Sequence, residues 1–101
     1  MDFLSNELSG NNTRYHMAFI DKEPVAFMKL NLSSNLPGLD VEKGMKLDKI
    51  YILRHFKGLR IGKRLLDVAF EIALQQKKEI CWLAVIDTNR EAISFYEKAG
   101  F

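Results

Sequence analysis

The sequence predicts an α/β domain (α+β in some schemes), a mixed sheet in which an antiparallel hairpin leads into a β-α-β-α unit. Three observations predict it. Apolar residues alternate from Thr13 and recur beyond a charged turn. Ile61, Leu65, Val68, Ala69 and Ile72 recur at helical spacing between two β-rich runs. A last amphipathic stretch then ends on Gly100.

In chain order, MDFLSNELSGNN is polar and reads as the tail of a helix or a loose end. Tyr15, Met17 and Phe19 alternate with His16, Ala18 and Ile20, which predicts a strand. Asp21-Lys22-Glu23-Pro24 turns the chain into a second apolar strand, Val25 to Leu32. Ser33 to Gly44, punctuated by Pro37 and Gly38, predicts a loop without periodicity. KLDKIYIL, Lys46 to Leu53, is β-rich, and His55 to Gly62 is a short basic loop with two glycines. A helix follows to about Gln76. ICWLAVI, Ile80 to Ile86, is apolar enough for a strand buried on both faces. Thr88 with Glu91 forms a capping box for a last helix lined by Ala92, Ile93, Tyr96 and Ala99. Strand, helix, strand then implies a right-handed crossover with parallel strands.

The 101 residues suit a single domain, 1–101, and 48% hydrophobic content supplies a core. A formal net charge of +2 excludes a disordered polyelectrolyte and argues against a nucleic-acid partner. The lone Cys81 excludes an internal disulfide and a cysteine zinc site. His16 and His55 lack metal-ligand company, so no metal is expected. No apolar run approaches the ~20 residues of a membrane span, and the opening is no signal peptide. A cytoplasmic domain without membrane contact is the expectation.

HFKGLRIGKRLL sits where a strand hands over to a helix. Gly58 and Gly62 permit a sharp turn and close approach of a ligand, and the helix N-terminus offers unpaired N–H groups. Lys57, Arg60, Lys63 and Arg64 add positive charge. It is neither a Walker loop nor a G-x-G-x-x-G turn, and the competing reading is a solvated basic turn. The wider run LDKIYILRHFKGLRIGKRLLDVAFEIA…ICWLAVIDTNREAISFYEKAGF, Leu47 to Phe101, resembles the GNAT superfamily of acetyl-CoA-dependent N-acetyltransferases. Two motifs carry the resemblance: a [QR]-x-x-G-x-[GA]-like loop and N-x-x-A-x-x-F-Y-x-K-x-G-F. Asn89, Ala92, Phe95, Tyr96, Lys98, Gly100 and Phe101 fill the second completely. The wording IYIL…IGKRLL…WLAV…FYEKAGF is most similar to bacterial polyamine and related small-amine acetyltransferases. Lys57 takes the Gln/Arg position and Arg60 stands where the family has its first motif glycine. A positive φ there costs Arg roughly 1 kcal/mol.

The resemblance implies a partial GNAT fold that uses acetyl-CoA as co-substrate and acetylates a primary amine of a small molecule, polyamine-like, or of a peptide. Backbone groups at Ile52, Leu53 and Arg54 pair with the pantetheine arm and the thioester carbonyl. Backbone N–H groups of Lys57, Gly58, Leu59, Arg60, Ile61, Gly62 and Lys63 cradle the pyrophosphate. Asn89 hydrogen-bonds the arm, Lys98 approaches the nucleotide, and Tyr96 is the acid that protonates the leaving thiolate. With a CoA thiol near pKa ~8.5 and tyrosine near ~10, that transfer is uphill by about 2 kcal/mol. A Lys-like amine of pKa ~10.4 must also lose a proton, a deficit of ~4.6 kcal/mol at pH 7. Asp48, His55 and Asp87 are the candidate bases by nearness to strand ends.

The resemblance further implies a strand and two helices before the hairpin and two strands after Phe101. The sequence reads as lacking both parts, which ordinarily wall the amine site. Ile80–Ile86 would then be an open apolar edge, and a homodimer through that strand is expected. The alternatives are a non-catalytic CoA-binding or dimerisation module, and a plain α/β interaction domain.

Overall fold

The polar opening is a strand. In the computed structural model, which describes residues 2–7, 12–58, 60–85 and 88–101, β1 (Asp2–Glu7) lies antiparallel to β2 (Thr13–Ile20). Their register runs from Asp2 opposite Phe19 to Glu7 opposite Arg14. The predicted helix tail or loose end is thus corrected, as is the expected lack of a strand ahead of the hairpin. A segment with so little alternation becomes a strand because a hydrogen-bonded partner is available, not through its own pattern.

β2 and β3 (Glu23–Asn31) form the expected hairpin, joined by Asp21 and Lys22 alone. Both turn residues have positive φ, 50° and 68°, the handedness that matches the twist of the strands. Pro24 therefore falls inside β3, opposite Phe19, rather than in the turn. β4 (Gly44–Ile52) pairs antiparallel with β3. Lys29 faces Lys49 while Leu30 faces Leu47, so Asp48 has no partner in the register and β4 bulges there.

Helix α1 (Ile61–Gln75) carries Ile61, Leu65, Leu66, Ala69 and Ile72 onto the sheet, where they bury against Met28, Leu30, Met45 and Leu47. Its C-terminus closes with Lys77 at φ 57°, Lys77 N–H donating to the Leu74 carbonyl and Lys78 N–H to that of Ala73. The chain returns as β5 (Ile80–Trp82), parallel to β4, which gives the sheet the order β1-β2-β3-β4-β5. The predicted strand Ile80–Ile86 is shortened to three residues. Gly44, Met45 and Lys46 face Ile80, Cys81 and Trp82, and β4 then bulges away at Asp48. Cys81, Trp82 and Leu83 are half-buried and Ala84 and Val85 exposed, so the segment is not sheathed on both faces; Ile86 lies outside the described residues.

The loop before β4 is more ordered than its lack of periodicity predicts. A 3₁₀ turn, Val41–Lys43, is capped by the Asp40 carboxylate, which accepts from Glu42 N–H at 3.0 Å. Trp82 Nε1–H donates to the Ser34 carbonyl at 3.0 Å and Lys78 Nζ to the Glu42 carbonyl at 2.7 Å, which pins this loop to β5. A Cβ on Gly44 would run into the Ser34 carbonyl and the Asn35 side chain, so only glycine starts β4 here.

Helix α2 (Arg90–Lys98) starts one residue later than the capping box predicts. Asn89, not Thr88, is the cap, its side-chain oxygen accepting from Ala92 N–H at 3.2 Å. At the other end Gly100 takes φ 106°, and Phe101 N–H donates to the Tyr96 carbonyl. The Tyr96 ring meets Phe101 at 5.9 Å and Phe101 meets Phe70 of α1 at 5.5 Å, which lays α2 on the same side of the sheet as α1. Among the described residues no helix is long and apolar enough to cross a membrane.

Candidate functional site

Where β4 stops pairing with β5, the two chains separate and a gap opens beside Ile50 and Tyr51. Beyond it, a 3₁₀ turn (Arg54–Phe56) and Gly58 at φ 86° bring the chain round to α1. Arg60 sits in the left-handed region, φ 60° and ψ 19°, directly before the helix. The first helical hydrogen bond is Arg64 N–H to the Arg60 carbonyl at 3.1 Å. The N–H groups of Ile61, Gly62 and Lys63 therefore precede the ladder and lack helical acceptors. A Cβ on Gly62 would stand 2.8 Å from the Phe95 ring and 3.2 Å from Ile52, so glycine lets α1, α2 and β4 converge.

Two cavities meet in the gap. One, of about 510 Å³, is bounded by Ile52, Lys57, Gly58, Arg60, Gly62 and Lys63 on one side and by Asn89 and Tyr96 on the other. The second, of about 350 Å³, opens past Phe27, Asp48, Lys49 and Tyr51 toward Leu83–Val85. Ile50, Tyr51, Asn89, Ala92 and Tyr96 border both. Burial pushes the Tyr96 phenol above its ordinary value, so it holds its proton across the neutral range. The Asn89 oxygen is committed to the Ala92 N–H, which leaves its NH₂ as the free donor.

Residues 2–101 match the Acetyltransferase (GNAT) family. The chain belongs to the GNAT family. It is 25% identical over 99 residues to an uncharacterized N-acetyltransferase in the pepI 3′ region of Lactobacillus delbrueckii subsp. lactis, covering 98% of this chain and 57% of that one. The chain thus spans little more than half of that relative. In structure it is similar to aminoglycoside N-acetyltransferase AAC(6')-Iy in complex with CoA, with a TM-score of 0.87, 13% identity, and coverage of 99% of this chain and 90% of the other. A second structure of that enzyme, in complex with the bisubstrate analogue CoA-S-monomethyl-acetylneamine, gives a TM-score of 0.82 at 15% identity, over 91% of this chain and 63% of the other. These structural likenesses establish the fold, the mixed α/β sheet of a GNAT protein.

Of the residues that the GNAT motifs single out, the larger cavity gathers Ile52, Lys57, Gly58, Arg60, Ile61, Gly62, Lys63, Asn89 and Tyr96. Leu53, Arg54 and Lys98 are not on its wall, and Leu59 lies outside the described residues. Leu53 N–H donates to the Val25 carbonyl at 2.8 Å, and its carbonyl accepts one hydrogen bond, from Phe56 N–H, which leaves its second lone pair open. The Arg54 carbonyl likewise accepts from Lys57. The wall also includes Glu91, Phe95 and Phe56, which the sequence does not single out for a ligand. Phe95 was legible only as a motif letter.

Among the candidate bases, His55 is exposed in the 3₁₀ turn and Asp87 lies outside the described residues. Asp48 lines the second cavity, with Lys29 Nζ 3.2 Å from one oxygen and Lys46 Nζ 3.6 Å from the other. Burial pushes its carboxyl up, but the hydrogen bond and charge of Lys29 together with Lys46 outweigh it and hold the group below its ordinary value. Asp48 is accordingly a poor proton acceptor.

Proposed function

We propose that this chain transfers the acetyl group of acetyl-CoA to a primary amine of a small molecule, polyamine-like, or of a peptide, by direct attack in a ternary complex. The observation that carries the reading is Tyr96, protonated and half-buried, at the border shared by two cavities. One cavity suits an anionic cofactor arm. Its wall holds the free N–H groups at the start of α1 with Lys57, Arg60 and Lys63, a donor set that fits a pyrophosphate. Acetyl-CoA supplies an activated acyl group on a thiol leaving group. Ile52 and the Asn89 NH₂ orient the arm, and Lys98 lies toward its nucleotide end. The amine nitrogen enters through the second cavity and bonds to the acyl carbon. The Tyr96 hydroxyl then gives its proton to the departing sulfur, and the amine surrenders one to water. Such a positioned acid contributes roughly 10²–10⁴ in rate.

Arg60 favours a second reading. It occupies the motif-glycine position in a left-handed conformation that costs it roughly 1 kcal/mol. A chain that binds CoA and associates without turnover fits that departure, with a second copy adding to the open β5 edge. A cytoplasmic setting suits either reading.

Calorimetric titration with acetyl-CoA, controlled by desulfo-CoA and adenosine, tests the cofactor half. Micromolar binding that requires the pyrophosphate is expected. Thiol release with an amine then separates catalysis from bare binding, and a monodisperse monomer in sedimentation at about tens of micromolar, well above the working range of specific dimers, removes the associating module.

A further inference from the structure

We infer that the acceptor this site prefers is a peptide α-amine with an acidic residue beside it, and not a polyamine; the inference rests on the acetyl-transfer reading. The second cavity is the way left to Tyr96 once the first holds a cofactor, and its mouth is positive. Asp48 is the one carboxylate on its described wall, and each of its oxygens is engaged by a different lysine, Lys29 and Lys46. Lys49 stands on the same wall, opposite Lys29 in the register. Two ammonium groups thus hold one carboxylate and Lys49 adds a third cation to the same wall, a local excess of two positive charges.

Lys29 and Lys46 are held in place, while Lys49 is exposed. Lys29 lies 5.9 Å from the Tyr15 ring centre and Lys46 5.0 Å from that of Trp82, and their side chains are only 24% and 26% exposed. Each is held between an aromatic face and the carboxylate, so the charge is fixed in place. An incoming polycation meets like charge and, among the described residues of that wall, finds no unpaired carboxylate. At about 7 Å each such pair costs roughly a factor of three even in water, and two make about tenfold. A carboxylate carried by the acceptor gains by the same factor.

Proton chemistry selects in the same direction. The attacking nitrogen must be neutral, and Asp48, clamped by two cations, does not take the proton. A polyamine or lysine nitrogen of pKa ~10.4 is neutral in about one molecule in 2,500 at pH 7. A peptide α-amine of pKa ~7.7–8.0 is neutral in about one in ten, and the positive mouth lowers that pKa further. Such an acceptor reacts without a base. The stacked rings of Phe27 and Tyr51, 5.8 Å apart, with Leu83 and Val85, form the apolar side of the same cavity, against which a first side chain packs.

The test is thiol release at saturating acetyl-CoA and low salt with Ala-Glu-Ala, Ala-Lys-Ala and spermidine as acceptors. Expected is a kcat/KM for Ala-Glu-Ala about tenfold or more above both others, with the ratio shrinking in about 0.5 M salt. Lys49→Glu should reverse the preference between the two peptides, and Lys49→Gln should narrow it should the reversal disturb the fold. Spermidine turned over as well as Ala-Glu-Ala, or a ratio indifferent to Lys49, overturns the inference and leaves acetyl transfer standing. Calorimetric acetyl-CoA binding with no thiol release from any acceptor overturns the transfer reading, and this inference with it.

Discussion

The two ends of β4 have opposite tasks. Its first residues pair with β5, Lys46 with β3 as well, and Met45 and Leu47 there are buried almost completely. Its last residues keep only β3, and Tyr51 is 54% exposed beside two cavities. The β5 pairing ends at Lys46, and two residues on, Asp48 has no partner in the β3 register. One unpaired position separates a strand segment that holds the core from one that offers a site. The lesson is that the site exists because pairing fails there, so stability and turnover should separate along a single strand.

Met45→Ala should give the largest effect and confine it to stability. Removing this fully buried side chain is expected to cost about 3 kcal/mol in urea unfolding, while the folded fraction binds acetyl-CoA as before. Tyr96→Phe should do the reverse. Turnover is expected to fall about 100-fold, with acetyl-CoA affinity little changed and unfolding shifted only slightly. Equal losses of turnover and affinity would remove Tyr96 from the acid's role. Gly62→Ala blurs the division, because its Cβ meets Phe95 and Ile52 where core and site touch. A loss of about 1–2 kcal/mol together with weaker cofactor binding is expected.

Smaller effects sharpen the contrast further. Burial, helped by the Arg14 charge, lowers the pKa of His16 below 6.5. Its contribution is present above that value and is lost as pH falls through the folded pKa. Denaturant midpoints should therefore drop as pH falls below about 6.5 in the parent, and the drop should be shallower in His16→Gln. Least of all, Lys77→Gly at the left-handed end of α1 should add about 0.5–1 kcal/mol, because Gly100 already fills the same position of α2 without strain.

The sequence disclosed the regular parts and the chemistry-bearing loop. Ile61 to Ile72 repeated with helical period because one face of α1 meets the sheet, and FYEKAGF announced α2 and its glycine end. The strand β1 was illegible because its partner, not its own residues, makes it a strand. ICWLAVI misled for the complementary reason. Its side chains suit a strand throughout, but hydrogen bonding past Trp82 needs a neighbour that has turned away. Asn89 and Thr88 are both competent caps, and only the geometry of the chain chooses between them. Lys29 and Asp48 lie 19 positions apart on different strands, so no spacing rule could announce their pairing.

The short β5 has a kinetic meaning. Its three pairs close a chain excursion that begins at β4 and passes through all of α1, an expensive loop for little hydrogen bonding. Its amides should exchange with deuterium through local opening, well before those of β3, which is flanked on both sides. A ligand lying along the gap makes cross-strand contacts that the backbone forgoes. Protection of Cys81 and Trp82 should then rise as the ligand saturates, which turns the slowing of exchange into a thermometer of how firmly cofactor and fold depend on each other.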